Sequence, residues 1–197
     1  MRLVVGLVLF GFSLALMVEA ELGLGPWDVF HQGIADRLGV QIGWVVIAVG
    51  ALALLAWIPL RERPGIGTVA NTVLVGVSMN VSLDVLPTPE QLPVRITMLV
   101  VAIALNGLAT GLYIGAGLGP GPRDGLMTGI ARRGHSIRVV RTGIELTILV
   151  IGIALGGTVG VGTIAFALAI GPLVHVFLPV LTSRAEPVSS VHADAAR

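Results

Sequence analysis

Long apolar runs separated by short polar joints dominate this chain. Six of them approach or exceed the ~20 residues that carry an α-helix across a bilayer. They are Leu3–Leu22, Ile42–Leu60, Ile66–Leu86, Val94–Gly117, Val139–Gly157 and Val161–Thr182. Each is continuously apolar rather than alternating at period two, which disfavours a transmembrane barrel. Charge and proline collect between the runs, in RERPG at 61–65, PTPEQLP at 87–93 and residues 118–138. The pattern predicts an all-α, polytopic membrane protein of six spans, followed by a polar tail at 184–197 expected to be disordered. The first run is long for a signal peptide, and Glu19 stands beside the only small-residue cleavage point, so this run is expected to be retained.

Within this pattern the chain repeats itself. Residues 25–37, GPWDVFHQGIADR, align with residues 121–133, GPRDGLMTGIARR, with seven of thirteen positions identical. Further on, GIGTVA at 65–70 matches GVGTIA at 160–165, and Gly11 falls opposite Gly107. Apolar bias alone produces matched Val and Leu, not matched Gly, Pro, Asp and Thr. The repeats are predicted to occupy 1–92 and 93–183. Three spans per copy is an odd number, so the second copy enters from the opposite side, giving the inverted-topology architecture common among secondary transporters. With six spans, ten Arg residues fall on one side and only Arg37 and Arg95 on the other. The positive-inside rule then puts both termini in the cytoplasm of a bacterial inner membrane, with the protein crossing several times.

Each copy of the GPxD motif predicts a short helix after the first span, at 28–38 and 124–133. Gly-Pro stops the preceding helix. Asp28 and Asp124 are then placed to N-cap the short one, and Gly39 and Gly134 to end it. About eleven residues make roughly 16 Å of helix, too short to cross a bilayer. Two readings stay open: an interfacial helix along the headgroups, or a half-helix presenting its positive end to a solute or ion.

Composition sharpens the picture. Only 12% of residues are charged, 55% are hydrophobic and mean hydropathy is +0.96. Soluble domains carry about 25% charged residues, so this chain cannot cover a water-soluble surface. No Cys is present, which excludes disulfides and thiolate metal sites. The stretch GLGPGPRDGLMTGIARRGH at 117–135 is glycine-rich, yet it lacks the Lys-Ser/Thr step of a phosphate-binding loop, and the chain has no Lys. HExxH, GxSxG, CxxC and paired-carboxylate spacings are absent, so neither an enzyme nor a cofactor or metal site is expected.

Polar residues in or beside apolar runs are the candidates for a solute or ion path, because burying them in hydrocarbon is costly. These are Asp28, Asp124, Asn80, His175, Asn106, Arg123 and Glu145, with Asn71 as a further polar group. Glu145 lies four residues after Arg141 and can pair with it along one helix face, a structural role. His175 has the alternative of a helix-packing hydrogen bond. Arg132, Arg133 and Arg138 are expected at the lipid surface, where an Arg near an anionic leaflet gains about 1 kcal/mol.

Gly23-Leu24-Gly25-Pro26-Trp27-Asp28 and Gly121-Pro122-Arg123-Asp124-Gly125-Leu126-Met127 resemble the signature of the YczE/YitT-like bacterial membrane proteins. Arg141 with Glu145, Gly156-Gly157, Gly160-Val161-Gly162-Thr163 and Gly171-Pro172 extend the resemblance over nearly the whole chain apart from the tail. A YitT-type protein would carry a soluble C-terminal domain, so the likeness favours the YczE-like branch. The extra Gly-Pro at 119–120 is a departure that shifts the loop register. The resemblance implies an architecture and no biochemical activity.

Together these features predict a small permease or exporter working by alternating access of two inverted halves. A non-transporting scaffold or regulatory partner, binding lipid or protein through the Arg-rich loop, is the alternative. The expected partners are the bilayer and an unidentified small solute, with no nucleic acid. At 197 residues the chain is small for a pathway, which leaves room for a homodimer.

Overall fold

A computed structural model describes residues 1–182, as eight α-helices with no strand among the described residues. They are α1 (Arg2–Ala20), α2 (Pro26–Leu38), α3 (Ile42–Leu60), α4 (Ile66–Leu83), α5 (Leu92–Gly115), α6 (Pro122–Ala131), α7 (Ile137–Leu155) and α8 (Val161–Leu181). The tail expected at 184–197 lies outside the described residues.

Five helices, α1, α3, α4, α5 and α8, are long and apolar enough to cross a membrane. The expected sixth span, α7, has 19 residues but carries Arg138, Arg141 and Glu145 in its first half. Length alone therefore does not qualify it. Two of those charges, Arg141 and Glu145, border a cavity described below, with Arg141 still exposed. Large apolar side chains such as Leu52, Ile58, Val81, Ile164 and Leu168 are exposed on the outside. In α8 the only buried residues are Gly162 and Thr163. A water-soluble fold would not leave apolar area of this extent uncovered. Lipid tails solvate it, while the helices satisfy their own backbone groups.

The centre is a pair of antiparallel helices, α1 and α5. Gly6 meets Leu112 and Tyr113 at one end, Asn106 Nδ2 donates to Ser13 Oγ at 2.9 Å in the middle, and Arg95 Nε donates to the Ala20 carbonyl at 2.8 Å at the other end. Around this pair the helices dock in matching sets. Helix α1 packs on α4 and α5 on α8, while α2 packs on α7 and α6 on α3. Small residues set the separations. Gly11 lies against the backbone of Val75 and Met79, and Gly107 against Leu173 and Phe177.

Where the short helices dock, size is exchanged rather than copied. Val29 of α2 seats against Gly152 and Gly157 at the end of α7. In the other half the short helix contributes the glycine, Gly125, and α3 contributes the bulk, Trp57, whose Nε1 donates to the Pro122 carbonyl at 3.0 Å. The loops leading into the short helices are anchored alike. Gly162 N donates to the Leu22 carbonyl at 2.7 Å, and Gly67 N to the Leu118 carbonyl at 2.8 Å. Gly23 (φ 109°) and Gly119 (φ 121°) follow those carbonyls, in a backbone region open to glycine and strained for other residues.

Candidate functional site: a polar cavity between two short helices

The short helices begin differently from the sequence expectation. Their N-caps are Gly25 and Gly121, with φ/ψ of −62°/155° and −62°/157°, and no side chain caps either end. Proline occupies the first helical position in both, where its missing N–H costs nothing and its fixed φ suits the helix. Asp28 and Asp124 consequently stand at the third helical position and not at the cap. Their charge still lies in the first turn, at the positive end of the helix dipole. The glycine stop is met at Gly39 (φ 65°), whereas α6 ends earlier, at Ala131, before Gly134.

Both first turns open onto one cavity of about 450 Å³ between α1, α5, α7 and α8. That volume falls in the range of pockets for small organic ligands. Its polar wall holds Asp28, Asp124, Arg123, Asn71, Asn106, Thr110, Tyr113, Arg141 and Glu145, and its apolar wall includes Phe10, Trp27, Phe166 and Ile170. Four of the charged groups are held by neighbours. His31 Nδ1 donates to Asp28 Oδ1 at 3.2 Å, and Tyr113 OH donates to Asp124 Oδ2 at 3.1 Å. Arg141 Nε donates to Glu145 Oε1 at 3.0 Å, the i,i+4 pair expected from the spacing. Arg123 belongs to the second motif but lies over a residue of the first, its guanidinium carbon 5.2 Å from the centre of the Trp27 ring. This cation–π contact ties the two copies together across the cavity.

Of the sequence candidates, Asp28, Asp124, Asn106, Arg123 and Glu145 thus come together at one site. Asn80 and His175 do not border it. Asn80 is buried between α4 and α3, its Oδ1 accepting from Gly43 N at 2.8 Å, and His175 is exposed on the outer side of α8. The two arginines after α6 are exposed and also have protein partners. Arg132 pairs with Glu62 (2.8 Å), and Arg133 donates to the Pro59 carbonyl at 2.6 Å, in the last turn of α3. Arg138 is exposed at the start of α7.

Sequence alone does not single out two residues of the cavity wall, Tyr113 and Trp27, nor His31, which lies behind the wall against Asp28. His31 carried a signal, since it lies three residues after Asp28 and therefore on the same helix face. Tyr113 is the one Tyr of the chain. Its meeting with Asp124 depends on how α5 runs into α6, which no local spacing encodes.

Geometry and surface define a helical integral membrane protein with a charged, water-sized to solute-sized interior space. The chain belongs to the family described as Family of unknown function (DUF6198), whose model matches residues 1–179. An uncharacterized protein of Haemophilus influenzae is 39% identical over 180 residues, covering 91% of this chain and 83% of that protein. The uncharacterized membrane protein YczE of Bacillus subtilis is 36% identical over 177 residues, covering 88% and 82%. The uncharacterized protein YyaS of the same organism is 24% identical over 184 residues, covering 90% of each. The resemblance read from the GPxD motifs is thereby borne out. No solved structure matches the chain significantly.

Proposed function

We propose that this protein is a small permease or exporter in the bacterial inner membrane, moving a small solute by alternating access of two inverted halves. One observation carries the reading: a single solute-sized cavity is bordered at equivalent positions by both copies of the duplicated motif. The antiparallel α1–α5 pair and the matching docking of α2 on α7 and α6 on α3 support an inverted relation between the halves. Under this proposal α7 is the sixth span, its charges tolerated because Arg141 and Glu145 face the cavity and each other. Both termini are cytoplasmic, following the Arg distribution.

Protein reconstituted into proteoliposomes tests this. Solutes that raise the melting temperature in a ligand screen should also cross the vesicle membrane, and replacing Arg123 by Gln should weaken both effects. Stabilising ligands that never cross would favour the scaffold or regulatory reading instead. That reading draws on the exposed His135, Arg138 and Arg132 around the start of α7.

A further inference from the structure

We propose that Asp28 and His31 form a proton-binding pair in the wall of the cavity, so that protonation is coupled to what the cavity holds. The coupling half of this statement rests on the transport reading. The proton-binding half does not.

Position argues first. Asp28 borders the main cavity, and His31, fully buried behind it, donates Nδ1–H to the Asp28 carboxylate at 3.2 Å. The other ring nitrogen, Nε2, is buried with no hydrogen-bond partner among the described residues. Orphaned buried polar atoms are costly and call for an explanation. Beside His31 lies a second, much smaller void of about 10 Å³, bordered also by Asn71, Thr72 and Arg123. A space of that order holds about one water, and Asn71 and Arg123 border both spaces. The imidazole thus lies behind the wall of the solute-sized chamber and borders the water-sized one, with Nδ1 committed to Asp28 and Nε2 buried without a partner among the described residues.

The chemistry balances simply. Neutral His31 binds one proton at Nε2, becoming an imidazolium that keeps its Nδ1–H bond to ionised Asp28, and releasing the same proton restores the neutral ring. Asp28 favours the charged ring. Arg123, reaching in from α6, opposes it. Helix α3 contributes no charged residue in Ile42–Leu60, α4 contributes only Asn71 and Thr72 at this point, and on α7 Arg141 and Glu145 pair with each other. Burial of the ring weighs most and disfavours its charged form. Against that background the Asp28 carboxylate and the Arg123 guanidinium oppose one another, and a solute that draws Arg123 away would tilt the balance toward protonation. In the second copy Met127 occupies the place of His31, and Asp124 is held by a phenol, whose ordinary pKa is near 10. The proton site is therefore single, and the two halves are chemically unequal.

Trp27 supplies the readout. Its ring lies 6.2 Å from that of His31, close enough for an imidazolium to quench its emission. Tryptophan fluorescence of the full chain in lipid nanodiscs, titrated from pH 9 to pH 4.5, should fall along a one-proton curve. Trp27→Phe and His31→Gln should each abolish that curve. Asp28→Asn should move its midpoint down by at least one pH unit, a tenfold weaker proton affinity, and this variant decides the matter should His31→Gln not fold. A flat wild-type profile, or an unchanged curve in both His31→Gln and Asp28→Asn, would overturn the proposal. The transport reading fails separately. A normal titration without solute movement in vesicles would leave the proton pair standing and remove the permease, while solute movement with a flat titration would do the reverse.

Discussion

Individual glycines are the residues on which the packing turns, and they differ sharply in what a methyl group would meet. At Gly125 an added Cβ would run into the Trp57 ring, which is itself fully buried. Gly125→Ala should therefore destabilise by about 1–3 kcal/mol through overpacking, and should loosen α6 from α3. Gly143, on the exposed side of α7, has nothing within 4 Å of the same position. There Ala should be neutral or stabilising by up to about 1 kcal/mol, because only helix propensity changes. Thermal unfolding of both variants in one detergent checks the contrast. Equal stabilities would mean that the Trp57–Gly125 contact does not hold the short helix.

At the level of elements, arginines close helix ends that belong to other helices. The last carbonyls of a helix lack intrahelical donors and carry the negative end of its dipole. Arg37 of α2 donates to the carbonyls of Ala154 and Leu155 at the end of α7, both at 3.0 Å. Arg95 of α5 does the same for Ala20 and Glu21 at the end of α1, and Arg133 for Pro59 in α3. Each contact ties a short or central helix to its neighbour. Arg37→Gln should loosen the α2–α7 junction, seen as faster amide exchange in residues 150–157 with little change elsewhere. The short helices should behave differently under change of their acids. Asp124 sits at the third helical position and makes no cap, and Asn can still accept from the Tyr113 hydroxyl. Asp124→Asn should therefore cost about 0.3–1 kcal/mol of dipole interaction together with the charge assistance of that hydrogen bond. On the transport proposal, that variant keeps its fold and loses solute movement. Full activity with Asn at both Asp28 and Asp124 would remove their assigned place in the path.

For the whole molecule, the testable quantity is orientation. The proposed arrangement puts the joint at 61–65 and the α6 region on the cytoplasmic side, and the joint at 87–93 outside. Contacts agree that α6 and the end of α3 share one side, through Arg132 with Glu62, while Thr88 with Glu19 and Arg95 with Glu21 share the opposite one. Reporters fused after Thr182 should be active only in the cytoplasm, and those after Pro89 only outside. A C-terminal fusion active outside would mean that α7 does not cross, and the inverted arrangement would fall with it. Arg132→Gln with Arg133→Gln should lower the fraction of correctly oriented chains, since the same change reduces the positive-inside bias and removes the ties of this segment to the end of α3.

Apolar run length, the absence of Cys and Lys, and the duplicated Gly, Pro and Asp were enough to settle from sequence that this is a helical membrane protein, where most helices begin and end, and which family it joins. Those properties are local: a run of about 20 apolar residues is helical in lipid because its backbone has no other partner. Gly-Pro at 25–26 and 121–122 marks where a new helix starts, although Gly171-Pro172 is carried inside α8. Tertiary structure decided what each polar residue meets. Asn80 and His175 are 95 positions apart, the same offset as GIGTVA and GVGTIA, yet one is buried against Gly43 and the other is exposed, because helix rotation follows from packing and not from register. Arg132 and Arg133 stay exposed, yet only the tertiary structure shows that the end of α3 supplies their partners. Asp28 and Asp124, 96 positions apart, border one cavity only because α1 and α5 run antiparallel and carry the two short helices to its opposite sides. Long-range docking brings these groups together, and its energetics lie in Gly–Trp and Gly–Val fits that no single segment encodes.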